Sequence, residues 1–196
     1  MPKTLVLRDT GLGAGRPAIL VPVTGAEVSE IMDQTRRAVE AGAEIVEWRA
    51  DHFRQLENPT ATGRLLAAVR AAVGHTPLLF TVRTVSQGGQ ATLAPLHYRA
   101  TLLNAARSGH ADLLDVEYRH PTAAEVIAGA HRAGVAVLAS HHDMSATPPF
   151  EELVARLAAM EAMGADACKM AVMPQDAVDV AQLLLATATR AKDADT

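Results

Sequence analysis

Lys169 is one of three lysines in 196 residues, and it is the single cation in the apolar run Ala167-Cys168-Lys169-Met170-Ala171-Val172-Met173, bounded by Asp166 and Pro174. A run of that length, built of small and branched residues, predicts a strand buried on both faces, as in a parallel sheet. Desolvation in such a place disfavours an ammonium, and an amine relieved of its proton can attack a carbonyl and form a Schiff base. The plainer alternative is a strand-end lysine that snorkels to water.

Other charged residues fall in comparable places. Glu47 and Arg49 close a strand predicted over 44–49, and Arg83 closes one over 77–83. Glu117 closes a strand over 112–117, and His141-His142-Asp143 follow one over 135–140. Charged groups at the carboxyl ends of successive parallel strands point into one mouth, where α/β enzymes place their sites.

The elements that must hold these residues alternate. A small hairpin opens the chain from Thr4 to Arg8, with its turn expected in the glycine-containing stretch Gly11–Gly15. Strands are predicted over 18–21, 44–49, 77–83, 112–117, 135–140 and 167–172, with helices over 27–41, 62–73, 96–108, 123–133, 150–163 and 175–191. Gly42, Gly74, Gly109, Gly134 and Gly164 end five of the helices, as residues able to take the left-handed C-terminal conformation. Six β-α units in strict alternation predict a parallel sheet covered by helices, and no low-complexity linker divides residues 1–196, so a single domain is expected.

Composition narrows the function classes. The chain is 49% hydrophobic but only 3% aromatic, with a net charge of −4; with a pI near 6.0 this argues against a nucleic-acid binder. One cysteine, Cys168, allows no intrachain disulfide and suits a reducing cytoplasm. The start MPKTLVLRDTGLGAGRP lacks the pattern of a signal peptide, and no apolar stretch reaches the roughly 18 residues of a membrane span. A soluble cytoplasmic protein is expected.

Four motifs, EWRADHF (Glu47–Phe53), LLFTVRTVSQGG (Leu78–Gly89), ASHHDMSATP (Ala139–Pro148) and GADACKMAVMPQ (Gly164–Gln175), resemble type I 3-dehydroquinate dehydratase, in order and across essentially the whole chain. The resemblance implies a (β/α)8 TIM barrel of the shikimate pathway that works through a lysine Schiff base, needs no cofactor or metal, and is commonly a homodimer. It implies that Lys169 forms the imine and that His142 is the general acid/base. It places Glu47, Arg49 and Arg83 where the family binds hydroxyl and carboxylate groups of 3-dehydroquinate. His141 matches no catalytic position, and local hydrogen bonding is expected of it.

Three departures stand out. Where the family often has a glutamate assisting the histidine, this chain has Gln87, an accessory candidate that can hydrogen-bond but not hold charge. Where some members present a serine, Pro22 stands. The family also continues with two further β-α units carrying a Ser-Arg pair and a lid loop, whereas this sequence stops at Thr196, where a seventh strand would be due. Barrels of this fold run to about 250 residues, so a barrel truncated after six units is expected, its strands over 18–21 and 167–172 flanking the gap. Two alternatives accompany this reading: a non-catalytic homologue that binds quinate-like acids, or a class I aldolase using the same strand lysine.

Overall fold

A computed structural model describes residues 4–13 and 15–193; Met1 to Lys3, Ala14 within the expected turn stretch and the last three residues lie outside the described residues. The described chain opens with an antiparallel hairpin of β1 (Leu5–Leu7) and β2 (Thr10–Leu12). Six β-α units follow: β3 (Leu20–Val23) and α1 (Val28–Glu40), β4 (Ile45–Arg49) and α2 (Pro59–Val73), β5 (Leu78–Thr81) and α3 (Pro95–Arg107), β6 (Leu113–Glu117) and α4 (Ala123–Arg132), β7 (Ala136–His142) and α5 (Phe150–Ala162), β8 (Ala167–Ala171) and α6 (Ala177–Asp193). The strands pair in parallel in chain order, β3-β4-β5-β6-β7-β8, and the sheet curls as a (β/α) barrel does. β3 and β8 are its two edges. The five helix-ending glycines all take positive φ, between 58° and 88°, which turns the chain out of each helix toward the next strand.

Two details of the hairpin and the strand ends differ from expectation. Leu7 pairs with Thr10, so the turn is Arg8–Asp9 and Gly11 lies inside β2. Arg8 takes a φ of 52°, the conformation that a two-residue hairpin loop needs if its twist is to match the strands. β7 runs on to His142, and β5 stops at Thr81, which leaves Arg83 in the turn that follows.

Alternation along the strands separates two environments. Val46, Trp48, Leu78, Phe80, Leu114, Val116 and Val137 face the helices and form the main core with Ile31, Leu66, Val69, Tyr98, Leu102 and Val126. Trp48 is fully buried and meets the Phe80 ring edge-on at 5.4 Å. Trp48→Ala should therefore cost about 3–5 kcal/mol, read as a lower urea midpoint; a midpoint unchanged from wild type would contradict this packing. On the other face Ile45, Leu79 and Leu113 close the amino-terminal end of the sheet together with Leu7 of the hairpin. Asp112, at the start of β6, fastens that end by receiving Arg8 at 2.7 Å and Arg70 at 2.5 Å.

β8 departs from the sequence reading. All five of its residues are partly exposed rather than buried on both faces, because it pairs only with β7 and forms an edge. Lys169 is consequently half-buried. Apolar composition measures what a strand could bury, whereas its place in the sheet decides what it does bury.

Candidate active site

Towards the carboxyl ends of the strands the inner face changes from apolar to polar. The register sets Pro22 beside Glu47, Glu117 beside Ser140 and Ser140 beside Lys169. Pro22 lies on the edge strand β3, where a missing backbone donor is tolerated.

Arg83 anchors the centre of this face. Its Nη2 donates to Asp115 at 2.7 Å, and its Nη1 donates to Ser140 Oγ at 2.9 Å and Glu117 at 3.2 Å. Ser140 in turn donates to Asp115 at 2.6 Å. Glu117 also receives the backbone N–H and hydroxyl of Thr84 at 2.8 and 2.7 Å. All of these groups except Thr84 are buried. Burial works against the Arg83 guanidinium, but the charges of Asp115 and Glu117 outweigh it and raise its pKa. Charges taken out of water persist when they are paired and hydrogen-bonded, and this cluster meets both conditions.

Glu47 and Arg49 project from β4 on the same face. Glu47 is buried and receives the Thr81 hydroxyl at 2.7 Å. Arg49 is less buried; its Nε and Nη2 donate to the two oxygens of Asp51, each at 2.8 Å. No hydrogen bond engages its Nη1 among the described residues.

His142 ends β7, one strand from Lys169. Gln87 Oε1 accepts the His142 backbone N–H at 2.9 Å and lies 3.4 Å from Nδ1. A backbone N–H can only donate, so the glutamine must turn its oxygen to this spot. Nδ1, sharing that oxygen, is then the protonated ring nitrogen, and Nε2 keeps its lone pair. Burial first, then the charges of Arg83 and Lys169, push the His142 pKa down to about 4. Gln87 sits in a tight turn over 83–91, in which Gly89 packs so closely that a Cβ would lie 2.1 Å from the Arg83 carbonyl oxygen. Only glycine fits there.

His141 points the other way. Its ring packs edge-on against Tyr118 at 5.4 Å, and its buried Nδ1 has no hydrogen-bond partner. The local hydrogen bonding expected of it is replaced by packing, because adjacent strand residues face opposite sides.

Glu47, Arg49, Arg83, Gln87, His142 and Lys169, the six residues for which the resemblance implies a catalytic, binding or accessory place, thus gather at one end of the sheet. An apolar groove between α2 and α3, lined by Leu56, Leu66, Leu93 and Ala100, shares no residue with them. No group of three His, Cys, Asp or Glu side chains is placed to hold a metal ion among the described residues.

The family model described as Type I 3-dehydroquinase matches residues 19–195. This chain belongs to that family. It is similar to a 3-dehydroquinate dehydratase of Klebsiella pneumoniae (strain 342), with 39% identity over 191 residues that make 96% of this chain and 76% of the relative. It superposes on the type I 3-dehydroquinate dehydratase of Clostridium difficile, solved with covalently modified comenic acid, with a TM-score of 0.92 and 36% identity, over 95% of this chain and 74% of that one. The 3-dehydroquinate dehydratase of Geobacillus kaustophilus HTA426 gives a TM-score of 0.95 at 31% identity, over 98% and 76% of the two chains. Membership of the type I 3-dehydroquinase family sets aside the aldolase reading of the strand lysine.

Asp51, Thr81, Asp115 and Ser140 belong to the same charged face and were not among the residues singled out. A signal for three of them was present. Glu47/Arg49, Thr81/Arg83, Asp115/Glu117 and Ser140/His142 are polar pairs two residues apart, each at the end of an otherwise apolar strand. That spacing puts both members on one face of a sheet.

Proposed function

We propose that the protein dehydrates 3-dehydroquinate to 3-dehydroshikimate through a Schiff base on Lys169. The observation that carries this reading is His142, one strand from Lys169 and held by Gln87 with Nε2 free. Lys169 Nζ adds to the C3 ketone, and loss of water leaves an iminium that acidifies the neighbouring C2–H. His142 Nε2 takes that proton and gives an enamine. The imidazolium then protonates the C1 hydroxyl, which leaves as water, and hydrolysis of the conjugated imine releases product and regenerates the lysine. A histidine pKa near 4 leaves the base unprotonated at neutral pH and makes its conjugate acid a strong donor to the leaving oxygen.

Substrate contacts divide by what each side chain has free. Arg49 has a nitrogen to offer to a substrate hydroxyl or carboxylate, and Glu47 presents a carboxylate to hydroxyl groups. Arg83 is held in place by Asp115, Glu117 and Ser140 through three of its five N–H groups, so it presents a fixed cation to the carboxylate or hydroxyls of the substrate. The single cysteine supports a reducing cytoplasm as the setting, and the family resemblance supports a homodimer. No helix among the described residues is long and apolar enough to cross a membrane.

The direct test is formation of 3-dehydroshikimate from 3-dehydroquinate by the purified protein, and no turnover above a buffer control would refute the proposal. Gln87→Glu probes the same histidine. A carboxylate against Nδ1 favours the imidazolium and raises the His142 pKa from its depressed value. The acid limb of kcat/KM should move to higher pH, and kcat near neutrality should rise as the base comes closer to the working pH. Superimposable pH profiles for the two proteins would show that position 87 does not govern the histidine.

A further inference from the structure

Asp51 is a buried acid on this face to which the proposed chemistry gives no task. It lies in the turn Ala50–His52 directly after β4, with its side chain fully buried. Its oxygens receive the Arg49 fork at 2.8 Å on each side. Oδ2 also accepts the backbone N–H of Gln90 at 3.1 Å. His52 Nε2 stands 3.7 Å away. Burial pushes this carboxyl up, but the hydrogen bonds and charge of Arg49, with the backbone N–H of Gln90, outweigh it and hold its pKa below the usual range.

Gln90 closes the turn that carries Gln87. The Ala91 N–H donates to Arg83 O at 3.1 Å, and the Val85 N–H donates to Ala91 O at 3.0 Å. With Gly89 packed on the Arg83 carbonyl, the segment has little freedom of its own. Where its Gln90 end is held therefore decides where Gln87 Oε1 meets His142.

We propose that Asp51 is a positioning residue for both halves of the site, its fork aiming Arg49 at the substrate and its hold on the Gln90 amide keeping Gln87 against His142. The Arg49 half rests on the function proposed above, whereas the Gln87 half stands without it.

The test uses Asp51→Ala, which removes both acceptors, so that neither the Arg49 fork nor the Gln90 N–H keeps its partner. KM for 3-dehydroquinate should rise roughly tenfold or more, as expected when a charge-assisted fork is broken. Nitrogen-15 NMR of the His142 ring should show the Nδ1–H tautomer in wild type and a mixture of tautomers in the variant. Arg49→Lys serves as a second variant should the first fail to fold. It leaves Asp51 on Gln90, so KM should rise while the His142 tautomer stays as in wild type. Wild-type KM and an unchanged tautomer in Asp51→Ala would overturn the proposal. A higher KM with an unchanged tautomer would also overturn it, by confining Asp51 to Arg49. A tautomer that shifts in Arg49→Lys, or a KM that does not move there, would count against it equally. A wild-type protein inactive on 3-dehydroquinate would refute the function, while the tautomer comparison would still decide the hold on the loop.

Discussion

Lys169→Ala is expected to abolish turnover of 3-dehydroquinate, with a loss on the order of 10⁴ to 10⁶ in kcat, the range seen when a covalent nucleophile is removed. The side chain projects from an edge strand into a face crowded with Arg49, Arg83, His142, Glu47, Asp115 and Glu117. No second lysine is near in sequence, since the others are Lys3 and Lys192. Borohydride added with substrate should reduce the imine and leave a mass increase on the Lys169 peptide alone, and the variant should trap nothing. Label on the Lys3 or Lys192 peptides of wild type, with Lys169 unmodified, would remove Lys169 from the mechanism. Since Lys169 makes no hydrogen bond that the fold depends on, the variant should melt close to wild type, which separates lost chemistry from lost structure.

His142→Ala is expected to lower kcat by about 10² to 10⁴, the usual worth of a positioned acid/base group, while borohydride still traps some imine on Lys169. Attack by the amine does not require this histidine, but removal of the C2 proton and departure of the hydroxyl do. The pH dependence provides a second reading of the same residue. A histidine pKa near 4 in the folded protein lies below the ordinary 6.5. The base therefore stays neutral as pH falls through 6.5 and is lost only near 4, so the acid limb of kcat/KM should lie well below that of a free imidazole. By linkage, the unfolded chain takes up this proton at a higher pH than the folded one, so stability contributed here falls between about 6.5 and 4. An acid limb at 6.5, or a larger loss in His141→Ala than in His142→Ala, would exchange or dismiss these roles.

Much of this was legible in the chain. Alternating apolar runs and glycine-ended helices marked the six units, because parallel strands buried between layers must be apolar and helices must be turned back sharply. Residues at strand ends could be assigned to one mouth because parallel strands share a direction. What resisted reading depended on neighbours rather than on local pattern. The exposure of β8 follows from its edge position, which its own composition cannot report. The hairpin turned at Arg8–Asp9, against the pull of the nearby glycines, because the pairing of Leu7 with Thr10 left only two residues to turn in. Arg83 reads as a substrate ligand from its strand-end position, but its ties to Asp115, Glu117 and Ser140 span 32 to 57 positions and no local pattern reports them. Asp51 sits just past a predicted strand end, and its ties to Arg49 and Gln90 span 2 and 39 positions in the chain. Only the second of these is beyond what a local pattern could suggest.

The alternation that sets Trp48 toward the helices and Glu47 and Arg49 toward the mouth also constrains how such a chain can change over time. Substitutions on the helix side alter how firmly the scaffold holds, and those on the mouth side alter what it does, so the two kinds of variation can accumulate independently. An inserted or deleted residue within a strand has no such freedom. A shift by one position would turn Trp48 inward and bury Glu47 against the helices, damaging scaffold and chemistry in a single event. Strand lengths should therefore be held constant among functional descendants, while insertions collect in the connections on the opposite, amino-terminal side of the sheet, where a change of length leaves both faces in phase.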